Sequence, residues 1–152
     1  MRAHRLVKAR HAAAALEGEG ARRVGGRWNP PGLPMVYCAS SLSLAVLELL
    51  VHVDPADLPA DLIAIELEFP EDPPLRRLLP GDLPLPWREE AGRSALQALG
   101  REWLQTGAEG GLVVPSVIVP AETHLLINPG HPGCPRIRVL GREPFSLDPR
   151  LA

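Results

Sequence analysis

Nearly every position from 42 to 53 is apolar, with Leu44, Leu47, Leu50 and Val51 spread around all sides of a would-be helix. Such a segment predicts a helix that is largely buried rather than one with a single wet face. Ser40 or Ser41 supplies an N-cap, and Asp54-Pro55 a stop. Glu48 and His52 stand four apart and Ser41 stands seven before Glu48, so these polar side chains share one narrow stripe. That stripe faces either water or a polar cleft.

Other segments follow the two-residue period of strands. Residues 61–69 alternate well enough to predict a strand with one solvated face. Shorter strands are expected at 3–9, at the apolar, partly β-branched 35–38, and at 124–129, where Asn128-Pro129 ends the run. Residues 112–120 read as a strand pair or one kinked strand broken at Pro115-Ser116. A last strand at 137–140 is extended by Pro144-Phe145 after a turn. Residues 11–20, HAAAALEGEG, predict a short helical turn or loop ended by Gly18 and Gly20. A second helix is expected at 87–105, with Leu96, Leu99, Trp103 and Leu104 on its inner stripe. Between them, 70–86 is a Pro-rich connection with a turn near 75–79, long enough to be a lid or a surface element. The sum is an α+β fold with several short strands and two main helices.

Composition narrows the picture. At 152 residues the chain suits one domain spanning 1–152. An apolar share of 45% and a charged share of 22% argue against wholesale disorder, so 18 Pro and 14 Gly imply many loops. A net charge of -2 gives no reason to expect nucleic acid or an anionic membrane as partner. Cys38 and Cys134 match no CxxC or zinc spacing, so neither a disulfide framework nor a metal is expected, and a reduced compartment fits. No apolar run reaches the roughly 20 residues that span a bilayer, and the N-terminal segment is too weakly apolar for a signal peptide. The expectation is a soluble cytoplasmic protein. Gly18-x-Gly20 fails as a dinucleotide fingerprint, because Arg23 stands where the third glycine belongs.

Candidate chemistry gathers near the first helix. Gly25-Gly26 and Pro30-Pro31-Gly32 set turns on either side of Arg27 and Asn29, a frame that aims an arginine from a fixed backbone into a cleft. Burying a carboxylate without a partner is costly, so Glu48 on its narrow stripe is a functional candidate as much as a solvated residue. By default Tyr37 is a core aromatic, Trp28 a packing anchor, and Ser116, following a proline, a turn residue. His52 reads as a structural or supporting histidine, while His124 and His131 read as loop residues; no Ser-His-Asp triad is placed by spacing.

The ordered blocks GGRWNPPG, VYCA, LAVLELLVHV, VPSVIVP and LLINPGHP, within a span from about Arg5 to Leu147, resemble the RES domain. That family is named for Arg, Glu and Ser and is the toxin half of a bacterial toxin–antitoxin pair. The resemblance implies a compact fold similar to ADP-ribosyltransferases that binds NAD+ as substrate, with no resident cofactor, and cleaves its nicotinamide–ribose bond. Arg27, Glu48 and Ser116 match the naming positions, Tyr37 matches a pocket tyrosine, and Arg5 an N-terminal arginine that contacts the dinucleotide. It further implies an antitoxin of the Xre type that blocks the cleft. A homodimer or a larger toxin–antitoxin complex both stay open.

These residue types suit the chemistry. Breaking the bond builds positive charge on the ribose, which a carboxylate stabilises better than an amide. A guanidinium fork matches the pyrophosphate, a tyrosine can pack on nicotinamide, and a serine can hydrogen-bond the substrate or hold Glu48. The expected activity is hydrolysis or phosphorolysis of NAD+. The alternatives are ADP-ribosyl transfer to a protein, or an interaction module that kept the fold and lost catalysis. A degenerate copy is expected to have lost Arg27 or Glu48, and both are present.

Overall fold

The computed structural model describes residues 1–72 and 74–151. Pro73, within the Pro-rich connection, lies outside the described residues. The strands are β1 (Arg2–Lys8), β2 (Val36–Ala39), β3 (Leu62–Glu68), β4 (Leu75–Arg77), β5 (Gly111–Pro115), β6 (Thr123–Ile127) and β7 (Arg138–Phe145). The helices are α1 (Glu19–Val24), α2 (Leu42–His52) and α3 (Arg93–Thr106). One seven-stranded sheet runs in the order β4-β5-β6-β2-β1-β3-β7, antiparallel except for the parallel pair β4–β5. The α+β class therefore holds.

Strand alternation sorts the core. Val36, Cys38, Val113, Leu125 and Ile127 join Ala3 and Leu67 in one buried cluster, closed by Ile137 and Phe69. Their neighbours in sequence, Tyr37, Leu112, Val114 and Leu126, point the other way, against Trp28, Met35 and the Leu96 and Trp103 stripe of α3. Gly100 lets this helix sit directly on the loop below, since a Cβ there would overlap the carbonyl oxygen of Trp28.

The sheet parts in the middle. β1 pairs with β3 along seven positions, from Arg2↔Glu68 to Lys8↔Leu62, but shares with β2 only the pair His4↔Ala39. The halves β4-β5-β6-β2 and β1-β3-β7 thus meet at one bridge, and α2 lies beside it with Leu44 and Ala45 packed on Ala39 and Leu6.

Several expectations are corrected. α2 keeps its expected ends, with Ser41 as cap accepting from the Leu44 amide at 3.1 Å. It is not largely buried, however: among its residues only Leu44 and Ala45 are, while Leu47 is 38% and Val51 58% exposed, because the sheet covers one side of it. The expected turn does end at Gly18, which at a φ of 72° is also the N-cap of α1, whereas Gly20 lies inside that helix instead of ending the segment. Residues 75–77 form the parallel edge strand β4, and the second helix begins at Arg93, after a short 3-10 turn at Glu90–Gly92. Residues 117–119 are turn rather than strand, since β5 ends at Pro115. The last strand runs from Arg138 through Phe145 with no turn, and its irregularity is a bulge at Leu140, where one step of β3 from Glu66 to Leu67 faces two steps of β7 from Gly141 to Val139.

Candidate active site

Strand β2 is the axis of the site. Where it parts from β1, Arg5 bridges the gap: Nη1 donates to the Tyr37 carbonyl at 2.7 Å, and the buried Nε has no partner among the described residues.

The side chain of Tyr37 serves the loop that carries Arg27. Its hydroxyl accepts from the Trp28 amide at 3.0 Å and donates to Asn29 Oδ1 at 2.6 Å. Burial raises its pKa well above the ordinary phenol value, so it stays protonated and able to donate. Asn29 is fully buried, and its Nδ2 donates to the carbonyls of Ala21 and Leu33, each at 2.9 Å, and of Pro30 at 3.2 Å. The Gly26 amide donates to the Asn29 carbonyl at 2.9 Å, closing a tight turn, and Gln97 Nε2 of α3 donates to the Gly26 carbonyl at 2.8 Å. Gly25 turns the chain into this loop with a φ of 73°, a region that disfavours any residue with a side chain. Arg27 projects from the tip, with Nη1 at 3.5 Å and 3.4 Å from the carbonyl oxygens of Trp87 and Glu89. Contacts of that length hold it weakly. A fixed backbone thus carries a guanidinium that is free to take a better acceptor.

Glu48 is held differently. Its Oε1 lies 2.7 Å from Nε2 of His124, whose Nδ1 lies 3.2 Å from the Cys38 carbonyl. Oε2 is 3.7 Å from Nε2 of His52, a ring that is 76% exposed. The Glu48 side chain is itself 30% exposed, so it reaches solvent at the edge of the site. Cys38 is no nucleophile here, since burial pushes its thiol up to about 11, with Arg5 opposing the shift.

Ser116 is fully buried, and its Oγ accepts from the amides of Ile118 and Val119, each at 3.1 Å. Its own amide donates to the Glu122 carbonyl at 2.9 Å. Glu122 accepts from Ser41 Oγ at 2.6 Å, which fastens the 116–122 turn to the start of α2. Arg88 Nη2 donates to Val117 O at 3.2 Å, linking the same turn to the segment beneath Arg27.

The structure therefore joins Arg5 and Tyr37 directly, ties Tyr37 to the Arg27 loop, and attaches the Ser116 turn to the helix of Glu48. Among the described residues no hydrogen bond runs between Ser116 and Glu48; the partner of Glu48 is His124. Reading His124 as a loop residue is corrected: it lies on β6, paired with Ala39 and Val114. Its alternation with Leu126 was the available sign, since a polar residue there faces the packed side. Asn29, the hub of the arginine loop, was likewise unassigned by its sequence position.

The RES domain family matches residues 2–148. A protein of Sphingobium sp. (strain YBL2) described as a Prs ADP-ribosylating toxin is 42% identical over 139 residues, covering 90% of this chain and 86% of its own. A protein described as Toxin Res from Yersinia enterocolitica is 38% identical over 153 residues, covering 99% of each chain. Mycobacterium tuberculosis MbcT, described as an NAD(+) phosphorylase, is 60% identical over 35 residues, 22% of this chain and 19% of that one. The crystal structure of the M. tuberculosis MbcT-MbcA toxin–antitoxin complex superposes with a TM-score of 0.75 at 24% identity, covering 99% of this chain and 85% of the matched one. That likeness establishes the fold.

Proposed function

The chain belongs to the RES domain family, and on that premise we propose that it is the toxin of a toxin–antitoxin pair and consumes NAD+ by breaking the nicotinamide–ribose bond. The observation that carries this reading is the Glu48 carboxylate, held at 2.7 Å by a mostly buried histidine next to the point where the sheet parts. The bond breaks with its electron pair leaving on nicotinamide, and the ribose passes through an oxocarbenium-like transition state. Glu48 stabilises that positive charge, and because it is fixed in advance it costs no reorganisation when the charge appears.

Arg27 and Arg5 bind the two phosphates, each offering guanidinium donors that no close side-chain acceptor occupies. Tyr37 borders the pocket and fixes the Arg27 loop through its hydroxyl. Ser116 shapes the turn that closes the far side, next to α2. Arg27→Ala is expected to weaken NAD+ binding by about 10- to 100-fold, the loss of one charge-assisted contact. Calorimetry with NAD+ checks this, and unchanged affinity would remove Arg27 from the site.

The acceptor separates two readings. Hydrolysis or phosphorolysis leaves free ADP-ribose or its 1″-phosphate, in keeping with the description of MbcT. Transfer to a protein is favoured by the relative described as an ADP-ribosylating toxin, whose match covers far more of this chain. Product analysis of NAD+ turnover by mass spectrometry, with and without phosphate and with cell extract as protein source, decides between them. The first reading expects a small-molecule product in buffer alone or with phosphate. A requirement for extract, with one ADP-ribosyl group added to a protein, selects the second.

The partner is an antitoxin of the Xre type that covers the NAD+ cleft, and both act in the cytoplasm, where NAD+ is abundant. Among the described residues no helix is long and apolar enough to cross a membrane.

A further inference from the structure

We infer that His124 is the positioning residue of the site: it fixes Glu48 in its working rotamer and engages Oε1, so that Oε2 is the oxygen presented to the ribose. The inference rests on the NAD+ reading above and assigns a task to a residue that the family's naming positions leave out.

The geometry is specific. His124 sits in the middle of the sheet, flanked by Ala39 of β2 and Val114 of β5, with its side chain only 13% exposed. On the same face of β6 two residues on, Leu126 is fully buried. A ring with two polar nitrogens is costly there unless both are satisfied. Nδ1 lies 3.2 Å from the Cys38 carbonyl and Nε2 lies 2.7 Å from Glu48 Oε1, the shorter contact having the length of a charge-assisted hydrogen bond. The ring is thus anchored to the backbone of β2 at one end and grips the carboxylate at the other.

Oε2 stands in contrast. The His52 ring nitrogen is 3.7 Å from it and mostly exposed, and among the described residues Oε2 accepts no hydrogen bond. One oxygen is held and the other is available. A glutamate on an exposed helix flank otherwise samples several rotamers. Docking it on a sheet residue converts that freedom into a defined direction, the condition for electrostatic stabilisation of a developing charge.

The test compares two amides. The amide nitrogen of glutamine stands in for Nε2, which faces Glu48, and that of asparagine for Nδ1, which faces Cys38. Steady-state NAD+ consumption is measured for the wild type, His124→Gln, His124→Asn and each of these combined with Glu48→Gln, with folding checked by thermal melting. His124→Asn is expected to lower kcat by about 100-fold, the cost of a misplaced catalytic group, with KM little changed. His124→Gln is expected to recover most of that loss, and neither change should add to the loss caused by Glu48→Gln alone.

Equal effects of Asn and Gln, a wild-type kcat for His124→Asn, or full additivity with Glu48→Gln would overturn the inference while leaving the NAD+ reading intact. If His124→Asn does not fold, His124→Gln decides alone: a kcat near wild type supports the positioning role, and a loss as large as that of Glu48→Gln overturns it. A wild-type protein that consumes no NAD+ with water, phosphate or cell extract overturns the reading and the inference together.

Discussion

Replacing Glu48 with glutamine is expected to slow NAD+ cleavage by about 10²–10³-fold, the usual cost of removing a preorganised transition-state contact. The change keeps the shape of the side chain and its capacity to hydrogen-bond His124, but removes the full negative charge that opposes the ribosyl cation. The side chain is partly exposed at 30%, and the helix around it is held by Ser41 and by Leu44 and Ala45, so the fold is expected to survive. Turnover of the purified variant, with a circular dichroism spectrum matching wild type, checks both halves of the expectation. A folded variant with near wild-type turnover would assign catalysis elsewhere.

The largest effect on stability is expected from Asn29→Ala. The side chain is fully buried, donates to three carbonyls and accepts from Tyr37, so its removal strands polar groups away from water. Each buried group left unpaired costs about 1–3 kcal/mol, and the loss here is expected to be about 3 kcal/mol. For a domain of this size that lowers Tm by about 6–12 °C. Because the Asn29 side chain also locks the loop that bears Arg27, the folded fraction should bind NAD+ more weakly. Thermal melting followed by calorimetry measures the two consequences. A Tm within about 2 °C of wild type, less than the shift of a single kcal/mol, would mean that water or a rearranged loop replaces the lost bonds.

What the sequence made legible was local. Ser41 and Asp54-Pro55 bound α2 within a residue or two, and Gly25-Gly26 with Pro30-Pro31-Gly32 announced the loop that presents Arg27. The α+β class and the inner stripe of α3 followed from period alone. The misses were long-range. β4 exists because Leu75, Arg76 and Arg77 pair with Gly111, Leu112 and Val113, a partner more than thirty residues away that no local pattern reveals. α2 was expected to be buried because it is apolar all round, yet how much of a helix is covered depends on what the sheet places against it. His124 shows the same limit at the site. Its partner Glu48 is 76 residues distant, and only the β2–β6 register, with His124 opposite Ala39, brings the ring under the helix. Ser116 was legible as a turn residue, and its hydrogen bonds follow that reading, both accepted from amides two and three residues on.

Whether this chain breaks the nicotinamide–ribose bond is read from nicotinamide release by the purified protein, followed by chromatography in parallel incubations of NAD+ with buffer, phosphate and cell extract. Nicotinamide is expected to form in step with NAD+ loss in at least one of the three, at a rate that collapses in Glu48→Gln. NAD+ left intact and no nicotinamide in any of them would rule out cleavage of that bond.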